Sequence, residues 1–408
     1  MALGRSLGNL NLIKVVRGIS KCEIKVRAPK SPNIVIFDKT IHRELEVLFS
    51  QEKIAVFDPR YERVIYLLTM CSAWIKWIKP SCNESFTHYY FAQFLRETRP
   101  KLVVSGGYMS RTLYSVRLSL QSQLSARFVV FQNGLWDDRE LPPTQNSLVS
   151  GDIVYCVYDS YVKAWSSLTN GPKISAISTA AAKMSIARPV SDPKSRQMQA
   201  AWISVWRNQK TSTERTGVAH SEVYALEIEL LKPLMTALKT QGLGLTIIGA
   251  RKQEDASEER SFYEAILGDS GWEMWQGSSK NSVYRELGRY ALVTGAGSTL
   301  LYECMSALQR VMFLDTGSVE AFRHPFLFPD HEVHRNSSFL LKASDVATWG
   351  EKIKSFLELS EDKYVSLVTS TIGAGPVNAS LEQIARDLNV SPPLIEGEEP
   401  GTSALHVS

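Results

Sequence analysis

The chain has 408 residues, of which 44% are hydrophobic and 10% aromatic, enough for about two domains that each bury a core. Its net charge is only +4, and it has no basic stripe beyond the N-terminus and no recognised nucleic-acid motif, which argues against nucleic-acid binding. No apolar run reaches the ~20 residues that span a bilayer, the N-terminus lacks a secretory signal, and the scattered cysteines form no CxxC pair. We therefore expect a cytoplasmic protein with reduced thiols and no zinc site.

The N-terminal segment, residues 1–30, is the most basic part of the chain. It carries seven lysines and arginines against a single acidic residue, Glu23, and so has a net charge of +6. A solvated basic arm is the simpler interpretation. The alternative is peripheral contact with an anionic membrane, where each Lys or Arg near the headgroups contributes ~1 kcal/mol.

Short apolar segments alternate with helical patterns through the first half of the chain. The segments are β-branched and apolar at successive positions, as in parallel strands that are buried on both faces. They lie at residues 33–38, 53–58, 101–106, 127–132 and 152–157. The helical patterns cover residues 62–78, 86–98, 110–123 and 158–167. This alternation predicts a doubly wound α/β domain over residues 31–190.

A second series of the same kind follows a linker rich in Pro, Ser and charge at residues 187–197. Its predicted strands lie at residues 200–206, 244–250, 290–295 and 310–315. Its predicted helices lie at 220–240, 257–268, 281–289 and 298–308, and helices 345–359 and 376–388 close this half. The last residues, 391–408, have the composition of a disordered tail. The predicted fold class is α/β, with a second Rossmann-like domain, residues 198–390, that faces the first across a cleft.

The segment YALVTGAGSTLLYECMSALQRVMFLD, residues 290–315, places small residues between a predicted strand and a predicted helix. Open parallel sheets bind ligands beyond the carboxyl ends of their strands, where a helix N-terminus offers free amides to an anion. Gly297, Ser298 and Thr299 would therefore hold a phosphate, while Glu303 would accept hydrogen bonds from a ribose diol. A structural role is the alternative, because small residues also permit close packing and an early Glu complements the helix dipole.

The sequence GAGSTLLYECMSALQRVMFLD within this segment resembles the nucleotide-binding segment in the C-terminal half of GT-B glycosyltransferases. KLVVSGGYMSRTLYSVRLSLQSQLSARFVVFQNGLWDD, residues 101–138, resembles bacterial surface-carbohydrate (capsule and lipopolysaccharide) biosynthesis proteins. WISVWRNQ and IIGARKQEDASEERSFYEAIL are similar to strand-loop units of the second half in the same group. The resemblance implies a nucleotide-sugar donor that is a substrate, with no separate cofactor. Some members of the group resemble transferases of Kdo, which use a CMP-linked acidic sugar.

Cationic residues follow two predicted strands of the second half. Arg207 comes directly after the strand at 200–206, and Arg251 directly after the strand at 244–250. A guanidinium can grip a phosphate or carboxylate with two parallel hydrogen bonds, so both arginines are predicted to bind the donor. Solvated loop charges are the alternative.

The loop FQNGLWDDRELPP is the predicted source of the catalytic group in the first half. The predicted substrate-binding residues at the end of its strand are Gln132, Asn133 and Gly134. Asp137 or Asp138 would act as a general base or as a nucleophile, and an exposed acidic loop is the alternative.

The turn SGGYMSR also follows a predicted strand, and Arg111 at its end would grip an anionic group of the substrate unless this is a plain turn before a helix. The histidines have no metal-binding spacing and no DxD pair follows a strand, so we expect a reaction that needs no metal.

The function that these observations predict is sugar transfer from a nucleotide-activated donor, CMP-Kdo-like or a UDP-sugar, to a glycan or lipid-linked acceptor of surface polysaccharide or lipopolysaccharide. One alternative is a CDP-polyol phosphotransferase of the same fold. Another is a non-catalytic subunit that binds a nucleotide or glycan within a polysaccharide-assembly complex.

Overall fold

A computed structural model describes most of the chain between residues 23 and 390. The described residues are 23–37, 45–46, 48–57, 64–79, 84–106, 110–131, 151–156, 175–178, 197–210, 219–250, 256–277, 283, 286–296, 298–315, 337–372 and 377–390. The predicted helix at 158–167, the predicted tail at 391–408, residues 1–22 of the basic arm and nearly all of the predicted linker lie outside them.

The first half is organised around a parallel sheet. Its described strands are β1 (Glu23–Lys25), β2 (Ile34–Phe37), β3 (Ile54–Phe57), β4 (Val64–Tyr66), β5 (Leu102–Ser105), β6 (Arg127–Phe131), β7 (Ile153–Cys156) and β8 (Ser175–Ser178). Six of them form the sheet in the order β3-β2-β5-β6-β7-β8, and every neighbouring pair is parallel. Strands β2 and β5 are buried at every position, because helices and loops cover both faces of their apolar runs.

Three helices follow one another beside this sheet, α1 (Leu67–Trp77), α2 (Phe86–Thr98) and α3 (Arg111–Leu120), and each packs on the next. Ser85 Oγ accepts a hydrogen bond from the amide of His88 at 3.3 Å and so begins α2. Ser110 Oγ accepts from the amide of Leu113 at 3.2 Å and begins α3. Strands β1 and β4 form a separate parallel pair. The stretch predicted as a helix at 62–78 therefore contains strand β4 before α1, and part of the predicted arm is a strand.

The second half carries a second parallel sheet. Its described strands are β9 (Gln197–Ile203), β10 (Gly244–Ile248), β11 (Trp272–Trp275), β12 (Tyr290–Gly295), β13 (Val311–Asp315) and β14 (Leu340–Lys342). Its described α-helices are α4 (His220–Val223), α5 (Ala225–Thr240), α6 (Ala256–Leu267), α7 (Thr299–Ser306), α8 (Trp349–Leu357), α9 (Glu361–Ile372) and α10 (Val377–Leu388), with 3-10 turns at Ser337–Phe339 and Ala343–Thr348. The order β11-β10-β9-β12-β13-β14 is the 3-2-1-4-5-6 order of a Rossmann domain.

Three details of this half differ from the sequence prediction. The predicted helix at 220–240 is interrupted at Tyr224, whose φ of −112° and ψ of 17° separate α4 from α5. The predicted strand at 200–206 ends at Ile203. Strands β11 and β14 and helix α9 were not predicted, because both strands are short and lie at the sheet edges, where apolar patterning is weak.

The last helix, α10, returns to the first half. Ile384 and Leu388 pack in one apolar cluster with residues of the first sheet such as Ile34 and Val129. Arg127 of β6 donates from Nη2 to the carbonyl of Leu388 at 2.8 Å, and so satisfies a carbonyl that the helix end leaves open. The predicted domain 198–390 includes this helix, yet its buried side belongs to the core of the first half.

A helix that is both long and apolar enough to cross a bilayer is not found among the residues described.

Candidate functional site

The second sheet has a topological switch point between its central strands β9 and β12. From β9 the chain moves outward to β10 and β11, and from β12 it moves outward in the other direction to β13 and β14. The connections on the two sides therefore diverge and open a crevice beyond the carboxyl ends of β9 and β12, where such sheets bind ligands. The segment that follows β9, residues 204–208, and the start of α7 flank this crevice.

Gly295 lets helix α7 come close to the end of β9. A Cβ atom at this position would lie 3.2 Å from Leu301 Cδ1 of the helix and 3.4 Å from the carbonyl oxygen of Ile203. A larger residue would therefore push the helix away from the strand. The small residue that the sequence places here brings the N-terminus of α7 to the switch point.

Ser298 and Thr299 begin helix α7, as predicted. Ser298 is the N-cap, and its Oγ accepts a hydrogen bond from the amide of Leu300 at 3.3 Å. The partial positive charge of the helix start then faces the crevice edge, where it favours an anion. Gly297, the third predicted phosphate-binding residue, lies outside the described residues.

Glu303 lies on α7, four residues after Thr299, and is 5% exposed. The neighbouring residues Tyr302, Cys304 and Met305 are also buried. Burial, and then the nearby Glu303 carboxylate, raise the pKa of the Cys304 thiol. Glu303 is therefore part of the buried side of α7, and its role toward a ribose stays a prediction.

A buried carboxylate, Glu259 of α6, joins the segments that follow β9 and β10. Its Oε1 accepts a hydrogen bond from Ser204 Oγ at 2.5 Å and another from the amide of Ala250 at 2.9 Å. Ser204 stands directly after β9, and Ala250 stands two residues after β10. Since Glu259 is 0% exposed, these bonds replace the water that the charge loses on burial.

The hydroxyl of Ser204 takes part in three hydrogen bonds. Its Oγ donates to Glu259 and accepts from the hydroxyl of Tyr263 at 2.8 Å and from the amide of Trp206 at 3.2 Å. Tyr263 follows Glu259 by one helical turn of α6 and is 1% exposed. Burial, and then the charge of Glu227, raise the pKa of the Tyr263 hydroxyl, so it stays a hydrogen-bond donor.

The backbone around Arg207 is held by the start of the next helices. His220 Nε2 donates to the carbonyl of Arg207 at 2.8 Å, and the hydroxyl of Tyr224 donates to the carbonyl of Val205 at 3.3 Å. Because β9 ends at Ile203, Arg207 lies four residues beyond the strand and not directly after it as predicted. Arg207 follows β9, and helix α7 with Ser298, Thr299 and Glu303 follows the neighbouring strand β12.

The remaining predicted site residues are distributed as follows. Arg111 is the first residue of α3 and belongs to the first half. The predicted residues that lie outside the described part of the chain are Gln132, Asn133, Gly134, Asp137, Asp138 and Arg251. Their roles stay predictions. The described chain ends directly before two of them, because β6 ends at Phe131 and Glu259 binds the amide of Ala250.

Sequence reasoning missed Ser204, Glu259 and Tyr263. The sequence does contain one indication of a buried Glu259. Glu259, Tyr263 and the apolar Leu267 are spaced four residues apart and so share one helix face. An acidic residue on the apolar face of a helix requires a buried partner.

A cavity of about 500 Å³ also lies in this half, away from the switch point. Met198 and Gln199 near the start of β9 and Tyr290 at the start of β12 line it, together with Glu273 and Glu286. It therefore begins at the amino ends of β9 and β12 and extends to Met274 and Trp275 at the end of β11. No group of three or more His, Cys, Asp or Glu side chains that could hold a metal ion occurs within the described ranges.

The family of the chain is defined by a match over residues 152–371 to the family described as "putative O-antigen biosynthesis protein". The match covers more than half of the sequence, so the chain belongs to this family. A comparison with curated proteins gives no match.

Solved structures show the fold. MnaA from S. aureus, solved with UDP, is 14% identical over 91% of this chain and 98% of its own, with a TM-score of 0.51. A UDP-GlcNAc 2-epimerase from Methanocaldococcus jannaschii is 9% identical over 87% of this chain and 98% of its own, with a TM-score of 0.53. A glycosyltransferase from Rickettsia africae ESF-5 is 9% identical over 88% of this chain and 98% of its own, with a TM-score of 0.50. The prediction of a GT-B-like α/β fold is confirmed, and these identities carry no more than the fold.

Glu259→Ala should destabilise the protein more than a change at a partly exposed position of the same helix. The substitution leaves the Ser204 hydroxyl and the Ala250 amide without their charged acceptor, which should lower the free energy of unfolding by about 2–4 kcal/mol. The control is Glu264→Ala, because Glu264 pairs with the exposed Arg260 at 2.8 Å and its loss should cost below about 0.5 kcal/mol. Urea unfolding measures both, and equal losses would show that Glu259 does not join the two segments.

Glu227→Gln should change how stability depends on pH. Glu227 of α5 is 3% exposed, and burial raises its pKa from 4.5 to about 7. Below pH 4.5 the carboxyl is protonated in the folded and unfolded states alike. As the pH rises toward 7 the unfolded chain releases the proton first, so the wild-type protein loses up to ~3 kcal/mol of stability.

The glutamine does not titrate, so the stability of the variant does not fall in this way as the pH rises. Relative to wild type, Glu227→Gln should therefore gain about 2–3 kcal/mol when the pH is raised from about 5 to about 8. Urea unfolding at the two pH values measures the gain, with Glu229→Gln, an exposed change on the same helix, as the control. A pH-independent difference between Glu227→Gln and wild type would mean that the buried carboxyl keeps its ordinary pKa.

Proposed function

We propose that this protein is a glycosyltransferase that binds a nucleotide-activated sugar in its second half and transfers the sugar to an acceptor of O-antigen biosynthesis held by the first half. The proposal is supported by the topology, because helix α7 begins soon after β12 and the segment of Arg207 follows β9, and these two strands are neighbours at the switch point. A nucleotide sugar has an anionic diphosphate or phosphate between a nucleoside and a sugar, and this edge offers the complementary charge.

In this proposal each part of the donor has its own contacts. The phosphate takes the open amides and hydroxyls of Ser298 and Thr299, and the guanidinium groups of Arg207 and Arg251 add charge-assisted hydrogen bonds. Glu303 accepts the ribose hydroxyls. Because the leaving nucleotide carries the charge that develops in the transition state, the same groups would stabilise its departure without a metal ion.

The donor nucleotide is proposed as UDP, with a CMP-linked acidic sugar as the second choice. S. aureus MnaA, which shares the fold, was solved with UDP, and this supports the first choice. The similarity of some motifs to Kdo transferases supports the second. Family membership supports a surface-glycan acceptor, either free or linked to a lipid.

The chemical step is assigned to the loop that follows β6 in the first half. Gln132, Asn133 and Gly134 would shape this loop around the acceptor, with Arg111 binding an anionic group of the substrate. Asp137 or Asp138 would then deprotonate the attacking hydroxyl or attack the anomeric carbon. A parallel sheet supports this assignment, because the loop leaves the carboxyl end of a central strand.

Binding and turnover should separate in two sets of variants. Glu303→Gln removes a charged acceptor and should weaken nucleotide binding roughly tenfold or more, as measured by calorimetry with UDP, CMP, CDP and GDP. Asp137→Asn or Asp138→Asn should lower turnover about 100-fold to 10,000-fold and leave nucleotide affinity unchanged. Glu351→Gln, an exposed change in the first turn of α8, is the matched control for Glu303→Gln.

The products decide between the functions. Transfer of a sugar from one donor of the panel supports the proposal, whereas release of a phosphopolyol would identify a CDP-polyol phosphotransferase. Nucleotide binding without turnover would identify a non-catalytic subunit, and interconversion of two nucleotide sugars would identify an epimerase. Unchanged nucleotide affinity in Glu303→Gln would remove α7 from the donor site.

A further inference from the structure

Helices α2 and α3 of the first half lie side by side and run in the same direction. Both run antiparallel to β5, because α2 leads into this strand and α3 follows it. Two side-chain hydrogen bonds join the helices. His88 Nδ1 and Ser115 Oγ are 2.8 Å apart near the helix starts, and Arg96 Nε donates to Gln123 Oε1 at 2.9 Å near the other end. The shared surface of α2 and α3 is therefore tied at both ends.

A groove of about 780 Å³ extends along this surface. It is a cationic groove, since its lining includes Lys76, Arg96 and Arg111 against one acidic residue, Glu84. Arg96 follows His88 by eight residues and both line the groove, so it extends ~12 Å along α2 at a rise of 1.5 Å per residue. Such a volume and length suit an extended ligand better than a single small ion.

The arginines of the cationic groove are not neutralised by ion pairs. Arg96 is half-buried, and its partner Gln123 is a neutral amide. Within the described part of the chain, neither Arg96 nor Arg111 forms an ion pair with a carboxylate. Burial lowers the pKa of Arg96, and burial and then the charge of Arg96 lower the pKa of Lys76. An anion in the groove would relieve both the desolvation and the mutual repulsion of these cations.

Hydroxyl groups line the groove between its charged positions. They belong to Tyr89, Tyr114, Ser115 and Ser119. The two tyrosines are half-buried and Ser119 is exposed. A tyrosine offers an apolar ring together with a polar hydroxyl, and a serine can both donate and accept, so the lining is suited to a ligand with many hydroxyls of its own.

We propose that the cationic groove binds an acidic saccharide, a short glycan segment whose carboxylate or phosphate groups contact Arg96 and Arg111. A guanidinium forms paired hydrogen bonds with either anion, and this shared chemistry defines the ligand. The choice of a saccharide rests on the proposed function and on the family described by O-antigen biosynthesis, whereas the binding of an anion rests on the groove alone.

The groove would hold the glycan away from the reacting bond. Arg111 begins α3 beyond the carboxyl end of β5, at the edge of the first sheet where ligands are expected. Arg96 lies in the last turn of α2, toward the amino end of β5. A glycan that starts at the carboxyl edge would therefore extend along α2 and α3. Arg96 is thus assigned as a positioning residue for the acceptor, without a part in the chemical step.

Calorimetry with the full chain tests the proposal, with tetragalacturonate, a tetramer of a carboxylate-bearing sugar, as the probe. The neutral control maltotetraose and inorganic phosphate should both bind at least about tenfold more weakly. Arg96→Gln should weaken the binding of tetragalacturonate roughly tenfold, because it removes one charge-assisted contact. The matched control is Arg99→Gln, which removes the same charge outside the groove lining and should bind like wild type.

A cysteine on the lining gives a second readout in which the cations are unaltered. Ser119→Cys is introduced in a background where the unburied cysteines are replaced by serine. Saturating tetragalacturonate should slow the reaction of this thiol with a neutral, water-soluble maleimide roughly tenfold. Ser370→Cys, at an exposed position of α9, should react at an unchanged rate.

Several results would overturn the proposal. Absence of tetragalacturonate binding, or equal affinity for maltotetraose, would mean that the groove does not select an acidic glycan. Equal affinity for inorganic phosphate would reduce it to a site for a small anion. Equal losses in Arg96→Gln and Arg99→Gln would mean that only the overall charge of the protein matters. Binding of phosphatidylglycerol vesicles but not of tetragalacturonate would assign the cations to lipid headgroups.

These measurements are independent of turnover, so this proposal and the proposed function fail separately. A chain that binds tetragalacturonate through Arg96 and transfers no sugar would keep the groove as a glycan site and lose the transferase reaction. A chain that transfers sugar while Arg96→Gln and wild type bind tetragalacturonate equally would keep the reaction and lose the groove.

Discussion

The buried carboxylate of Glu259 sets the geometry of the candidate site. A charge without solvent is costly unless hydrogen bonds replace the lost water, and here a serine hydroxyl and a backbone amide do so from two different strand ends. The segments after β9 and β10 are thereby held at fixed positions relative to helix α6. Arg207 follows the first of these segments, and Arg251 directly follows the second. The fold thus fixes the backbone of the segments that lead to the two candidate cations.

The two halves of the molecule share a parallel-sheet architecture but present different residues at their surfaces. In the second half, the close approach of α7 to β9 at Gly295 concentrates open amides and a buried glutamate at the sheet edge. In the first half, the helices beside the sheet form the cationic groove. Helix α10 joins them, because it follows the second sheet in sequence and packs on the first.

Much of this fold follows from the sequence alone. Strands such as β2 and β12 are continuous apolar runs bounded by turn residues, and both were predicted within one residue at each end. Helix α2 was predicted at its observed bounds, and the structure shows that Ser85 caps its start. The prediction failed where tertiary contacts decide. Residues 64–66 form a strand because β1 pairs with them, and α10 joins the first half because Arg127 and the apolar cluster hold it there.

Candidate site residues were likewise found from sequence only where they are contiguous in the chain. Ser298, Thr299 and Glu303 were predicted because strand, small residues and helix are contiguous in sequence. Glu259 was not, because its partners Ser204 and Ala250 come together only through the register of β9 and β10. The cationic groove was equally hidden, because Arg96 and Gln123 come together only through the packing of α2 beside α3.

The central claim, that a nucleotide binds at the switch point between β9 and β12, is tested most directly by hydrogen–deuterium exchange with and without UDP, UDP-sugars and CMP. We predict slower exchange at residues 204–208 and at the first turn of α7 in the presence of one of these ligands, with little change in α2 and α3. Protection confined to the cavity around Gln199 and Tyr290, or to the groove between α2 and α3, would contradict it.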